Sequence, residues 1–188
     1  FSSQLFQVGA NAGQAIAIDK VVDAKVASLG GAQFSSGTIA VAASAADNAD
    51  TTIAAFTITS STGTVVSFDA MTVKSVGLQA ANQAAAGKEQ ATAINAKIGE
   101  TGVYAEANAA GAITLTSVKD SVNASGAYTA FTTTAAGYTA GPAAPAKQFV
   151  SNIKIDTVAG AQQSLEIVDK ALSSINSVRA DLGAIQNR

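Results

Sequence analysis

The sequence has no cysteine, no histidine and no tryptophan, and among its 188 residues one methionine and two prolines. Without cysteine there is no disulfide, no thiolate nucleophile, no iron–sulfur cluster and no cysteine zinc site. Without histidine there is no imidazole base and no Ser-His-Asp triad. Eleven Lys and Arg against 13 Asp and Glu give a net charge of −2. No basic cluster offers the footprint that nucleic acid requires. No apolar run approaches the roughly 18 to 20 residues of a membrane span, and no segment has the order of a secretory signal peptide. Neither nucleic acid nor a membrane is expected as a partner.

What is present is 48% apolar, with alanine the commonest residue and Ser, Thr, Asn and Gln filling much of the rest. The length suits one ordinary domain or two small ones. The chain starts at Phe1 rather than Met and stops at Arg188 inside a helical pattern. A fragment of a longer protein is therefore expected.

Three blocks are legible. In residues 1 to about 31, two short extended runs flank Gly9, Asn11 and Gly13 and predict a β-hairpin. Residues 19–29 read as a short helix ended by Gly30-Gly31. The second block carries β-like runs at 38–42, 53–59, 64–68, 102–107 and 113–117. One helix is predicted over 87–99, with Ala91, Ile94 and Ile98 at helical spacing and Gly99 as its C-terminal cap. Residues 119–140 read as strand and loop, and 141–145 as a linker returning to the first block. Helix, hairpin and further strands together predict an α+β fold.

The third block is a long amphipathic helix from Asp156 to about Ile185, some 45 Å at 1.5 Å per residue. Val158, Ala161, Leu165, Val168, Leu172, Ile175 and Leu182 recur at 3-4 spacing, and at Arg179 the stripe passes to Val178 and Ile185. Asp156 is the expected N-cap, with Thr157 as second choice. So long a stripe requires other helices beside it, and the rest of the chain contains no matching one.

Several sharper readings fail on their residues. The Gly9–Gly13 turn lacks the lysine and helix of a phosphate loop. Asp47-Asn48-Ala49-Asp50 lacks the bidentate glutamate of a calcium loop and reads as a solvated turn. The acidic residues are scattered and no tryptophan could stack a sugar, so a glycosidase is not expected. Neither catalytic residues nor a cofactor or metal site is assigned. Tyr104, Tyr128 and Tyr138 read as partly buried core. Ser and Thr in the middle block read as strand and turn composition in preference to glycan sites.

Two stretches resemble the bacterial flagellins. Residues 6–14, FQVGANAGQ, are similar to the flagellin hairpin FQVGANxGQ. Residues 178–188, VRADLGAIQNR, are similar to the family's RxDLGAxQNR helix segment, and 157–177 continue that helix in register. More weakly, 91–95, 101–105 and 113–116 resemble an insertion motif of flagellins and hook-associated proteins. The resemblance implies a discontinuous middle-domain part from 1–31 and 147–188, and a variable outer domain from 32–146. It implies a structural subunit of the extracellular flagellar filament, with other flagellin subunits as partners. Val158, Leu165, Val168, Leu172, Ile175, Leu182 and Ile185 would pack against helices, and Arg179, Asp181, Gln186 and Asn187 would lie at subunit contacts. Part of the contact with the animal Toll-like flagellin receptor would fall on the C-terminal helix. The alternatives are a hook-associated protein, or a surface carbohydrate-binding module or adhesin, which an exterior cluster of Tyr128, Phe131 and Tyr138 would favour.

Overall fold

The computed structural model describes residues 4–7, 15–18, 24–41 and 47–186. Strands β1 (Gln4–Gln7) and β2 (Ala15–Ile18) pair antiparallel, Gln4 opposite Ile18 and Gln7 opposite Ala15. The predicted hairpin is present. Its turn residues Gly9, Asn11 and Gly13 lie outside the described residues.

The short helix predicted over 19–29 is not found in its described part. Residues 24–29 form turns, with Ser28 N–H and Leu29 N–H both donating to Lys25 O at 2.8 and 3.1 Å. A single turn of mixed charge and β-branching has little propensity to extend. Leu29 is instead fixed by its own burial and by Val150 N–H, which donates to its carbonyl at 2.9 Å.

Next come β3 (Ser36–Ile39), β4 (Thr51–Ile53), β5 (Phe56–Thr59), β6 (Val65–Phe68) and β7 (Met71–Val73). Helices α1 (Gln79–Ala96) and α2 (Ile98–Thr101) precede β8 (Val103–Ala107) and β9 (Ile113–Ser117). The short strands β10 (Thr132–Thr133) and β11 (Tyr138–Ala140), a 3-10 turn at Val150–Asn152 and helix α3 (Val158–Gln186) complete the order. The fold is α+β, and all the strand pairings are antiparallel. One sheet runs β11-β3-β9-β8, a second β10-β5-β6, and β4 pairs with β7. The run predicted as one strand over 53–59 is two. Ala54 and Ala55 break it, so β4 pairs with β7 and β5 with β6.

The main core lies between these sheets and α1. On β8 and β9 alternate residues turn inward, Val103 and Ala105 beside Ile113 and Leu115, each at most 1% exposed. Ile94 and Ala86 cover them from α1. Phe56 and Phe68, opposite in register, stack with ring centroids 4.6 Å apart.

Helix α1 is longer at its start than the spacing over 87–99 predicts. Its first two turns, QAANQAAA, are rich in alanine, the strongest helix former, and have little apolar periodicity. Asp47 Oδ1 accepts the Gln79 N–H at 2.8 Å and satisfies one free amide of the first turn. Buried Asn82 ties the entry loop down: Val76 N–H donates to its Oδ1 at 2.7 Å, and its Nδ2 donates to Gly77 O at 3.2 Å. At the other end the left-handed cap is Gly102 (φ 65°), not Gly99, because the chain makes the further turn α2 first. Where α1 crosses the β8–β9 turn, Gly87 and Gly111 meet. A Cβ on Gly87 would lie 2.2 Å from Gly111 O, and one on Gly111 would lie 2.2 Å from Gln83 O.

Three turns share one construction. At Asn108 and Asn123 the side-chain Oδ1 accepts the N–H groups two and four residues on, at 2.9–3.1 Å. Ser60 makes the second of these bonds with its hydroxyl, accepting Thr64 N–H at 3.1 Å, while the Thr62 hydroxyl lies 2.9 Å from it. A glycine occupies the fourth position each time, at 63, 111 and 126. This is local side-chain-to-backbone bonding typical of Asn and Ser turns.

Candidate assembly interface

A second, smaller core joins α3 to the rest. Ile167 packs with Ala32 and Phe34, backed by Val150 and Ile153. The linker predicted over 141–145 does return the chain to this region. Ala32 and Gln148 exchange both backbone hydrogen bonds, at 2.9 and 2.7 Å. The N-cap of α3 is Thr157, whose Oγ1 accepts the Gly160 N–H at 3.0 Å while its carbonyl accepts Ala161 N–H. Asp156, the first choice on sequence, is exposed one residue outside the helix.

Two polar ties fix the docked part of α3. Gln163 Nε2 donates to Ser117 O at the end of β9, at 2.8 Å. Lys170 forms an ion pair with Asp120, whose side chain is 5% exposed and whose other oxygen accepts Gln33 N–H at 2.7 Å. Among the described residues of α3, those buried within the chain are Ser164, Ile167 and Ala171. They sit on one helical face with Gly160.

The apolar stripe is mostly not that face. Val158 (58% exposed), Leu165 (64%) and Leu172 (53%) stand open, with Val168 partly so. At 100° per residue Val158, Leu165 and Leu172 lie about 140–180° around the helix from Ile167, with Val168 about 100° from it. Beyond Ala171 the apolar positions Ile175, Val178 and Leu182 rotate back onto the docked face, where Ile175 and Leu182 remain 38% and 39% exposed. The single stripe of the sequence is therefore two rows, one lateral on the first half of α3 and one continuing past the small core. Arg179 and Asp181 are exposed beside the second row. The side chains of Ile185 and Gln186, and the whole of Asn187, lie outside the described residues.

The other candidate regions resolve as structure. Asp50 pairs with Lys74 at 2.6 Å and accepts Ser75 N–H at 3.0 Å. The lysine hydrogen bond first, then the Ser75 amide, holds the Asp50 carboxyl below the usual carboxylate range. Asp47 caps α1, so the 47–50 turn is a clasp on that helix. Among the described residues no group of three or more acidic side chains is placed to hold a metal, and no helix is long and apolar enough to cross a membrane. Tyr104, Tyr128 and Tyr138 are all half-buried, but only Tyr138 packs against the main core; Tyr104 stands on the outward face of β8. Phe131 is 2% exposed and lies 6.2 Å from Tyr138, centroid to centroid. These rings form a core contact, not an exterior stacking patch. Burial raises the phenols of Tyr128 and Tyr138 above their usual range, the latter further through Tyr128.

No family model matches the chain. Individual relatives do. It is 38% identical over 136 residues to a B-type flagellin of Pseudomonas aeruginosa, a match covering 70% of this chain and 26% of that relative. Over 39 residues it is 51% identical to polar flagellin A of Vibrio parahaemolyticus and 54% to flagellin C of Vibrio cholerae, each match covering 21% of this chain and 10% of the relative. The chain thus spans about a quarter of the length of the Pseudomonas relative.

Proposed function

We infer, for a chain recognisably of the flagellin family over most of its length, that it belongs to a structural subunit of the bacterial flagellar filament. In this reading it assembles outside the cell for swimming and catalyses no reaction. The observation that carries it is the exposed apolar surface of α3. Leu165, Leu172 and Val158 are each more than half open. Burying such a side chain contributes roughly 1.5–3 kcal/mol, so an uncovered row of them favours a covering helix. The two rows face different directions and call for two different covering helices.

In the proposed subunit residues 1–31 and 147–188 form the middle-domain part, and residues 32–146 form the outer variable domain, which carries antigenicity. Other flagellin subunits are the partners, through head-to-tail contacts that do not close into a ring and so build a helical filament. Arg179, Asp181, Gln186 and Asn187 are assigned to those contacts. The same helix would supply this chain's share of any contact with the Toll-like flagellin receptor.

Immunogold electron microscopy of the source cells, with antibody raised against this chain, tests the reading. Label along the whole flagellum supports it. Label confined to the hook junction or the tip would move the assignment to a hook-associated protein, and label over the cell body to an adhesin.

A further inference from the structure

Where α3 begins, a groove of about 620 Å³ opens between the helix and the outward face of the β11-β3-β9-β8 sheet. It is independent of the apolar rows of α3. We propose that this groove is a binding site for a neutral saccharide of one or two rings.

One wall is the solvent-facing side of β8 and β9. There Tyr104 lies opposite Thr116 in the strand register, and Glu106 opposite Thr114. The inward residues of the same strands are core, so the backbone holds these four side chains at fixed spacing on one wall. The facing wall carries the amides of Gln148 and Gln163. Gln163 is held in place because its Nε2 donates to Ser117 O at 2.8 Å, and its Oε1 is left as an acceptor. The small core around Phe34 and Ile167 lies at the base.

The chemistry selects the ligand class. The volume is within the range of small-molecule sites, about 300–1,000 Å³. A sugar ring presents one apolar face and a rim of hydroxyls at fixed spacing. The half-buried Tyr104 ring matches the face, and the hydroxyls, amides and Glu106 carboxylate match the rim with both donors and acceptors. The lining carries one cation, Lys154, against the two anions Glu106 and Asp156, so nothing selects a strongly charged ligand.

The test is a titration of the ¹⁵N-labelled chain with glucose, galactose, mannose, N-acetylglucosamine and their β-linked dimers. The expected result is a saturable shift, for at least one of these, of the amides of Tyr104, Thr114, Thr116 and Gln163. Tyr104→Ala should weaken that binding about tenfold or more, the usual loss on truncating an aromatic anchor, and Gln163→Ala should weaken it with an intact circular dichroism spectrum. The proposal is overturned if no probe shifts these amides at millimolar concentration, if the shifts fall elsewhere, or if Tyr104→Ala binds as the parent does.

Discussion

Asp120 and Lys170 are 50 positions apart in sequence, and their ion pair, with Asp120 almost wholly buried, joins the mainly β part of the chain to α3. The Asp120 carboxylate also accepts the Gln33 amide, so one side chain binds three segments. Lys170→Ala would leave that carboxylate with the amide alone. An expected loss of about 2 kcal/mol follows, below the 3–5 of a fully buried pair because Lys170 is about a third exposed. Urea denaturation of Lys170→Ala, Asp120→Asn and the double variant measures the coupling. A coupling indistinguishable from zero would show that the pair does not hold the two parts together.

Gly87→Ala should cost about 3 kcal/mol, since its Cβ would meet the Gly111 carbonyl at 2.2 Å and both partners are backbone. Gly99→Ala is the contrasting variant. Its Cβ would meet nothing within 4 Å and its φ is not positive. In a helix that change should stabilise by about 0.5–1 kcal/mol. Equal midpoints for the two alanine variants in a denaturation series would refute the account of the α1 crossing.

Leu172→Asp separates assembly from folding. Leu172 is 53% exposed, so the variant of this chain should unfold within about 0.5 kcal/mol of the parent. The same change in a full-length flagellin carrying this segment should abolish or sharply reduce filaments, because it sets a charge in a face that must be buried. Normal filaments on negatively stained grids would mean that the lateral row is not an assembly surface. The isolated chain, in dilute solution, is expected to sediment as a monomer and form no fibres.

The Asp50–Lys74 pair predicts a pH dependence whose sign is fixed. Because the folded carboxyl lies below its ordinary value, its contribution is present above the unfolded carboxylate pKa and disappears as pH falls through the folded one. Lys74 is raised by the same bond, so its side of the pair is lost only as pH rises through the folded lysine value. Both groups are solvated, so the readout is titration by NMR and not stability. Lys74→Met should return Asp50 toward the ordinary carboxylate range, and an unmoved Asp50 would assign the shift to Ser75 alone.

How far the sequence carries depends on the range of the forces involved. The long helix was legible because Leu165, Val168, Leu172 and Ile175 repeat along one segment. The α1 start was not, since an alanine run has propensity without a face to read. The strands at 132–133 and 138–140 are too short to carry a pattern, and their pairing with β5 and β3 depends on residues some 75 to 100 positions away. The stripe of α3 read as one surface because spacing alone cannot show which part of a helix its own chain already covers. Ile167 and Ser164 took that face, and the hydrophobic residues beside them stayed open. The groove beside Tyr104 left no trace in the sequence, because its two walls, β8–β9 and α3, come together only in the fold.

Asn95 occupies the outer side of β8, where its Oδ1 accepts the Ala105 N–H and its Nδ2 donates to the Ala105 carbonyl, both at 2.8 Å. Its amide imitates the neighbouring strand that an edge otherwise lacks. In a crowded array of identical copies, every bare strand margin is a place where neighbours can zip together in the wrong order. At Ala105 a single planar side chain already pairs this margin from within the chain, so that position offers a neighbour no free backbone group.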